Sequence, residues 1–280
     1  MNGAAYISII RPVNAVVAGL AGILATIIAT GSVPAEFFFI FLIILTITGA
    51  GNVINDYYDR EIDAINQPSR PIPSGKISPG HARIYAVFLF LAGNGIAIWF
   101  MPQPIAAIAV VNSILLWLYA AFLKTTPLFG NISVSYLASS IFLFGGAING
   151  VPGIISVLPI AGATFGVMLA RELVKDCEDM PGDMEHGGRT FPLLYGIRAT
   201  LILGFASACA GVFLSLLLFY KWGILYLLAI IPVGIIILHG AARGLSATSP
   251  EEMIRTKSSK ILKTGMFISL LVFLVSAVFL

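Results

Sequence analysis

The sequence predicts an all-α, polytopic membrane protein: about nine transmembrane helices in one bundle with cytoplasmic cap loops, residues 1–280 forming a single domain. Three observations carry this. Hydrophobic residues make up 58% of the chain and charged residues only 10%, where a soluble domain has about 25% charged. The mean hydropathy is +0.97. The apolar residues also come in long unbroken runs, not in the alternating segments of about 10 residues that a membrane β-barrel uses.

A helix needs about 20 apolar residues to cross a bilayer. Nine runs qualify: 13–30, 35–54, 82–101, 105–123, 132–150, 154–170, 200–220, 223–240 and 261–280. The first has no small-residue cleavage site after it, so it reads as a span and not as a removed signal. The third and fourth are separated only by "MPQP", the seventh and eighth only by "KWG". The longer loops, 60–80 and 171–196, have room for short helices. "SPEE" (249–252) reads as a capped helix start, with Ser249 at N-cap, Pro250 at N1 and Glu252 at N3.

The loop charges orient the spans. Fifteen of the 16 Lys and Arg residues fall before the first span or after the second, fourth, sixth and eighth; only Lys221 lies opposite. The positive-inside rule makes that face cytoplasmic, with the N-terminus inside and the C-terminus outside. The pI of about 8.9 reports this bias and implies no nucleic-acid partner. Cys177 and Cys209 suggest neither a disulfide framework nor a zinc site.

The 13 acids are not spread evenly. Four lie in 56–63 and six in 172–185. In "NDYYDREID", Asn55, Asp59 and Asp63 stand at i, i+4, i+8. Each such step drifts only about 40° around a helix, so the three share a face. Asp56 and Glu61 lie off that face and read as solvated or salt-bridged. In "KDCEDMPGD", Asp176, Asp179 and Asp183 stand at i, i+3, i+7 and share a face while the segment is helical. Pro181 and Gly182 count against a continuous helix near Asp183.

Like charges four residues apart weaken a helix, and acids at a helix C-terminus oppose its dipole. One such cluster reads equally well as a solvated helix end. Two, on one side of the membrane, call for a ligand that offsets the cost. Oxygen-only donors without His or Cys suit a hard cation such as Mg²⁺, which usually shares its sphere with phosphate oxygens. Arg70 and Lys76, in the proline-stiffened loop "QPSRPIPSGKIS", stand near the first cluster in sequence. Lys175 stands in the second, and Lys124 ends the fourth span. Together they would complete a diphosphate clamp.

These residues resemble a family. "NDYYDREID", "DCEDMPGD", "DAINQPSRPIPSGKIS" and "GGRTFPLLYG" are similar to motifs of the intramembrane UbiA-type prenyltransferases, along nearly the whole chain. The resemblance implies a polyprenyl diphosphate held through Mg²⁺ by both acid motifs. Its C1–O bond ionises to an allylic cation that an acceptor captures. It implies metal roles for Asn55, Asp59, Asp63, Asp176, Asp179 and Asp183, with Asp59, Asp63, Asp179 and Asp183 central to catalysis. It implies diphosphate contacts from Arg70, Lys76, Lys124 and Lys175. Arg11 and Asn14, in "IIRPVNAV", stand where members carry a polar pair near the acceptor; by position alone Arg11 is a positive-inside anchor. Where many members have Tyr-x-x-x-Lys, this chain has four residues between Tyr119 and Lys124.

"RELVKDCEDMPGDMEHGGRTFPLLYG" and "LKTTPLFGN" are most similar to members that use geranylgeranyl diphosphate and geranylgeranylglyceryl phosphate. Those form the second ether bond of archaeal membrane lipid. An aromatic acceptor is the alternative within the family. A cation-coupled transporter is the alternative outside it, disfavoured because the acids lie at helix ends and not at midplane breaks. His81, His186 and His239 qualify as bases by residue type only.

Overall fold

The computed structural model describes residues 3–185 and 187–280; His186 lies outside the described residues. The described residues are helical nearly throughout. In chain order the helices are α1 (Gly3–Ile9), α2 (Pro12–Thr30), α3 (Phe37–Tyr58), α4 (Arg60–Asn66), α5 (Pro79–Phe100), α6 (Gln103–Ala121), α7 (Phe129–Gly146), α8 (Gly150–Glu185), α9 (Phe191–Tyr195), α10 (Ile197–Leu216), α11 (Phe219–Gly244), α12 (Pro250–Thr256) and α13 (Ser258–Phe279). Eight stretches are long and apolar enough to cross a membrane. One of them, Phe129–Glu185, holds both α7 and α8, joined by the 3-10 turn Ala147–Asn149. With α7 and α8 counted apart, the described residues hold nine long apolar helices, against about nine expected. The chain is a multi-pass membrane protein.

The predicted short helices of the loops are α4 and α9. The "SPEE" cap forms as read: Ser249 Oγ accepts from the Glu252 N–H at 3.3 Å. Glu252 Oε2 in turn accepts from the Thr248 N–H at 2.8 Å.

Of the two helix ends near the acids, the first is as expected and the second is not. α3 continues past the apolar run to Tyr58 and carries Asn55 and Asp56 with it. α8 does not break at Pro181 or Gly182 but runs on to Glu185. Pro181 removes one backbone hydrogen bond. The carbonyl that loses this donor is that of Cys177, four residues back and buried, yet the helix carries on. The helix ends instead at the next glycines. Gly187 adopts φ 69°; its N–H bonds the Met184 carbonyl, and the Gly188 N–H bonds that of Asp183 at 2.7 Å. That is a Schellman ending, which glycine permits. At 36 residues α8 is about 54 Å long, well beyond the roughly 30 Å of a hydrocarbon core. Its acidic end can therefore stand outside the core.

The chain divides into two compact units, Met1–Ala121 with Ser140–Ser156, and Phe122–Ser139 with Val157–Leu280. In the first, α3 is central and packs on α2, α5 and α6. Ile40, Ile43, Val53, Ile54, Ala82 and Ala86 are fully or almost fully buried around it. α2 meets the end of α7 so closely that a Cβ on Gly145 would lie 2.4 Å from the Gly22 carbonyl oxygen. In the second unit α11 packs on α10 and α13. The buried Tyr226 phenol donates to the Ser215 carbonyl at 2.6 Å. A Cβ on Gly166 would lie 2.8 Å from the Gly211 nitrogen, so α8 and α10 touch backbone to backbone. Close approach through small residues is how membrane helices gain packing energy without a hydrophobic drive.

Candidate active site

The first acid motif spans the junction of α3 and α4. Asp59 sits between them with φ −84° and ψ 0°. The backbone ladder nonetheless runs through it. Asp59 N–H donates to the Asn55 carbonyl at 2.9 Å, Asp63 to Asp59 at 2.8 Å, and Gln67 to Asp63 at 2.8 Å. The i, i+4, i+8 face is therefore real. Asn55 Nδ2 donates to Asp59 Oδ2 at 2.8 Å along it.

Two arginines close this motif. Arg70 Nη1 donates to Asp63 Oδ2 at 2.5 Å and reaches Asp56 Oδ1 at 3.4 Å. Arg11 Nη2 donates to the same Asp56 Oδ1 at 2.5 Å. Asp63 and Asp56 are buried, with 5% and 3% of their surface exposed. Buried carboxylates need such partners, because an unpaired charge out of water costs several kcal/mol. Asp56 is salt-bridged, one of the two states expected of it, but it is not solvated and does not stand apart from the motif. Asp56 and Asp63 are seven residues apart, about 20° short of two full turns, so one arginine reaches both. Glu61 is the solvated one: its side chain is 84% exposed and pairs with its neighbour Arg60.

The loop after α4 is a compact turn. Its Ile72 and Ile77 are buried, and the Ile77 N–H bonds the Pro71 carbonyl at 3.0 Å. Lys76 lies between those anchors and is exposed. Arg11 precedes α2 in a left-handed conformation, φ 51° and ψ 68°. Asn14 is exposed on the first turn of α2. His81 is tied into the start of α5, where its backbone N–H and ring meet Ser78 Oγ.

The second motif is the end of α8. Because the helix continues, Asp176, Asp179 and Asp183 share a face as spaced. Asp176 Oδ2 accepts from Asn131 Nδ2 of α7 at 2.8 Å. Lys175 pairs with Asp179 one turn on, Arg171 with Glu172, and Ser259 Oγ donates to Glu178 at 2.7 Å. Lys124 is half-buried in the 3-10 turn Leu123–Thr125, in the same compact unit. Asn131 escaped the sequence reading, although it closes the quoted stretch "LKTTPLFGN". Its signal was an amide at the start of an apolar helix, which needs a partner once buried.

The donor set of these motifs suits Mg²⁺. Among the described residues no three His, Cys, Asp or Glu side chains converge as a ready metal cage. Mg²⁺ does not require one, since it typically takes one or two carboxylates and completes its octahedron with water and phosphate oxygens. Carboxylates one helical turn apart, with arginine and lysine among them, fit a metal that arrives with a phosphorylated substrate.

Comparison with known proteins agrees. Residues 15–271 match the UbiA prenyltransferase family. The digeranylgeranylglyceryl phosphate synthase of Methanospirillum hungatei is 76% identical over 280 residues, all of both chains. That of Methanoculleus marisnigri is 48% identical over 279 residues, 99% of this chain and 100% of the relative. A solved digeranylgeranylglyceryl phosphate synthase shares the fold with a TM-score of 0.85 at 34% identity, covering 99% of this chain and 98% of that one. A UbiA homolog from Archaeoglobus fulgidus bound to GPP and Mg²⁺ shares it with a TM-score of 0.66 at 18% identity, covering 94% and 99%. The chain belongs to the UbiA prenyltransferase family, and it is a membrane-embedded prenyltransferase.

Proposed function

We propose that this enzyme transfers the geranylgeranyl group of geranylgeranyl diphosphate to the hydroxyl of geranylgeranylglyceryl phosphate. The product carries the second ether bond of an archaeal membrane lipid, and diphosphate is released. The observation that carries this reading is end-to-end 76% identity to a digeranylgeranylglyceryl phosphate synthase. The family match runs through both compact units, which supports one catalytic domain over 1–280.

The roles follow from the residue chemistry. Asn55, Asp59, Asp63, Asp176, Asp179 and Asp183 supply the oxygen donors for Mg²⁺. Bound Mg²⁺ neutralises the diphosphate and makes it a better leaving group. Asp59, Asp63, Asp179 and Asp183 are the acids on which turnover depends. Arg70, Lys76, Lys124 and Lys175 add positive charge for phosphate oxygens, and Arg11 and Asn14 serve the acceptor. The donor's C1–O bond breaks, leaving an allylic cation and diphosphate. The acceptor oxygen then bonds C1, and its proton passes to the departing diphosphate. Helices that exclude water protect the cation from hydrolysis. The positive-inside bias supports a cytoplasmic site, with the N-terminus inside and the C-terminus outside.

The test uses purified protein with labelled geranylgeranyl diphosphate and geranylgeranylglyceryl phosphate, with and without Mg²⁺, beside Asp59→Ala. Metal-dependent diether product, absent from the variant, is the expected result. Metal-dependent prenylation of an aromatic acid in its place would overturn the acceptor and keep the class.

A further inference from the structure

Asp56 has no part in the assignment above, yet the structure closes two arginines on it. One stripe of α3, Gly49, Asn52 and Asp56 at i, i+3, i+7, docks the junction between α1 and α2. Gly49 leaves room for Ile10, whose Cβ would lie 3.3 Å from a Cβ placed there. Asn52 Nδ2 donates to the Ile10 carbonyl at 2.9 Å. One turn further on, Asp56 takes the Arg11 guanidinium. Arg11 has the left-handed backbone that L-residues adopt only where their surroundings hold them. From the other direction Arg70 comes to the same oxygen, Asp56 Oδ1, from a loop pinned by Ile72 and Ile77. The two guanidinium nitrogens are therefore no further apart than the sum of their distances to that oxygen, 2.5 and 3.4 Å. Asp56 is 3% exposed, while the arginine side chains keep 34% and 30% of their surface. A guanidinium has five N–H donors, so each arginine has donors to offer beyond the carboxylate it grips.

We propose that Asp56 is the positioning residue of an anion subsite: it yokes Arg11 and Arg70 so that their outer edges together receive a phosphate monoester, the headgroup of the acceptor. Two forked guanidiniums match the three acceptor oxygens of such a group. The proposal rests on the prenyl-transfer reading and assigns Arg70 to the acceptor's phosphate instead of the donor's diphosphate.

The test compares Asp56→Asn and Asp56→Glu with the wild type in full-length, bilayer-reconstituted enzyme. Kinetics are measured for geranylgeranyl diphosphate, for geranylgeranylglyceryl phosphate and for the phosphate-free geranylgeranylglycerol. Asp56→Asn is expected to raise the KM for the phosphorylated acceptor roughly ten-fold, as loss of a charged hydrogen bond does. The KM for the donor should stay in place, the preference for the phosphorylated acceptor should fall by a similar factor, and Asp56→Glu should restore part of it. A raised donor KM, or equal loss with both acceptors, would overturn the proposal and assign Asp56 to the diphosphate site or to folding alone. If Asp56→Asn cannot be purified folded, Arg11→Lys is measured: loss of the same preference supports the subsite, and an unchanged preference overturns it. A wild type that prenylates neither acceptor would instead sink the function proposed above.

Discussion

The two acid motifs are built by different physics. The first is buried and tied by distant chain: Asp56 and Asp63 are nearly inaccessible, and their arginines come from the start of α2 and from the loop after α4. The second is the open end of one long helix. Asp179 is half exposed, and its cation is Lys175, one turn away on the same helix. From other helices this motif receives neutral donors, the Asn131 amide on Asp176 and the Ser259 hydroxyl on Glu178. The difference teaches that similar acid spacings can serve a fixed and an adaptable half. The first set holds its geometry through paired charge in a low dielectric. The second leaves Asp179 half exposed and Asp176 and Asp183 part-buried, with smaller constraints from distant chain.

This contrast can be broken by measuring stability and turnover together. The largest stability loss is expected for Asp63→Ala, which leaves Arg70 only its longer contact to Asp56: about 3 kcal/mol, at the low end for breaking a buried pair because Arg70 is part exposed and keeps that second carboxylate. Thermal unfolding in detergent would show it, with product formation also lost; an unchanged unfolding temperature would mean the first motif is not the fixed half. Asn131→Ala should cost less, about 1.5 kcal/mol, because Asp176 loses one hydrogen bond to a charged group. That sharpens the comparison, since it measures a hydrogen bond that ties the second motif to another helix. Asp179→Ala should change stability by less than about 1 kcal/mol, as exposed ion pairs do, yet lower Mg²⁺-dependent turnover roughly a hundred-fold. A large destabilisation there would erase the distinction between the motifs.

The fold was legible because its signals are local. Hydropathy marks each span within its own 20 residues, and the three members of each motif declare a shared face by spacing alone. Asn55 to Asp59 is such a case, and the ladder through Asp59 realises it. One local reading failed and another was incomplete, each for an instructive reason. Pro181 and Gly182 counted against a helix near Asp183, but the helix carries on past the one bond that Pro181 removes and ends where Gly187 allows a left-handed cap. Asp56 is salt-bridged, one of its two expected states, but counting in steps of four hid that the seven-residue step to Asp63 brings both within reach of Arg70.

The sequence by itself determined a multi-pass helical membrane protein with two helical acid motifs and the prenyltransferase family they resemble, because period, hydropathy and motif spacing are properties of neighbouring residues. Only the tertiary structure decided which charges meet. Arg11 finds Asp56, and Asn131 finds Asp176, each across 45 residues of chain. Such pairings are chosen by where helices pack and by the cost of leaving a buried carboxylate without a partner, and no local pattern encodes either.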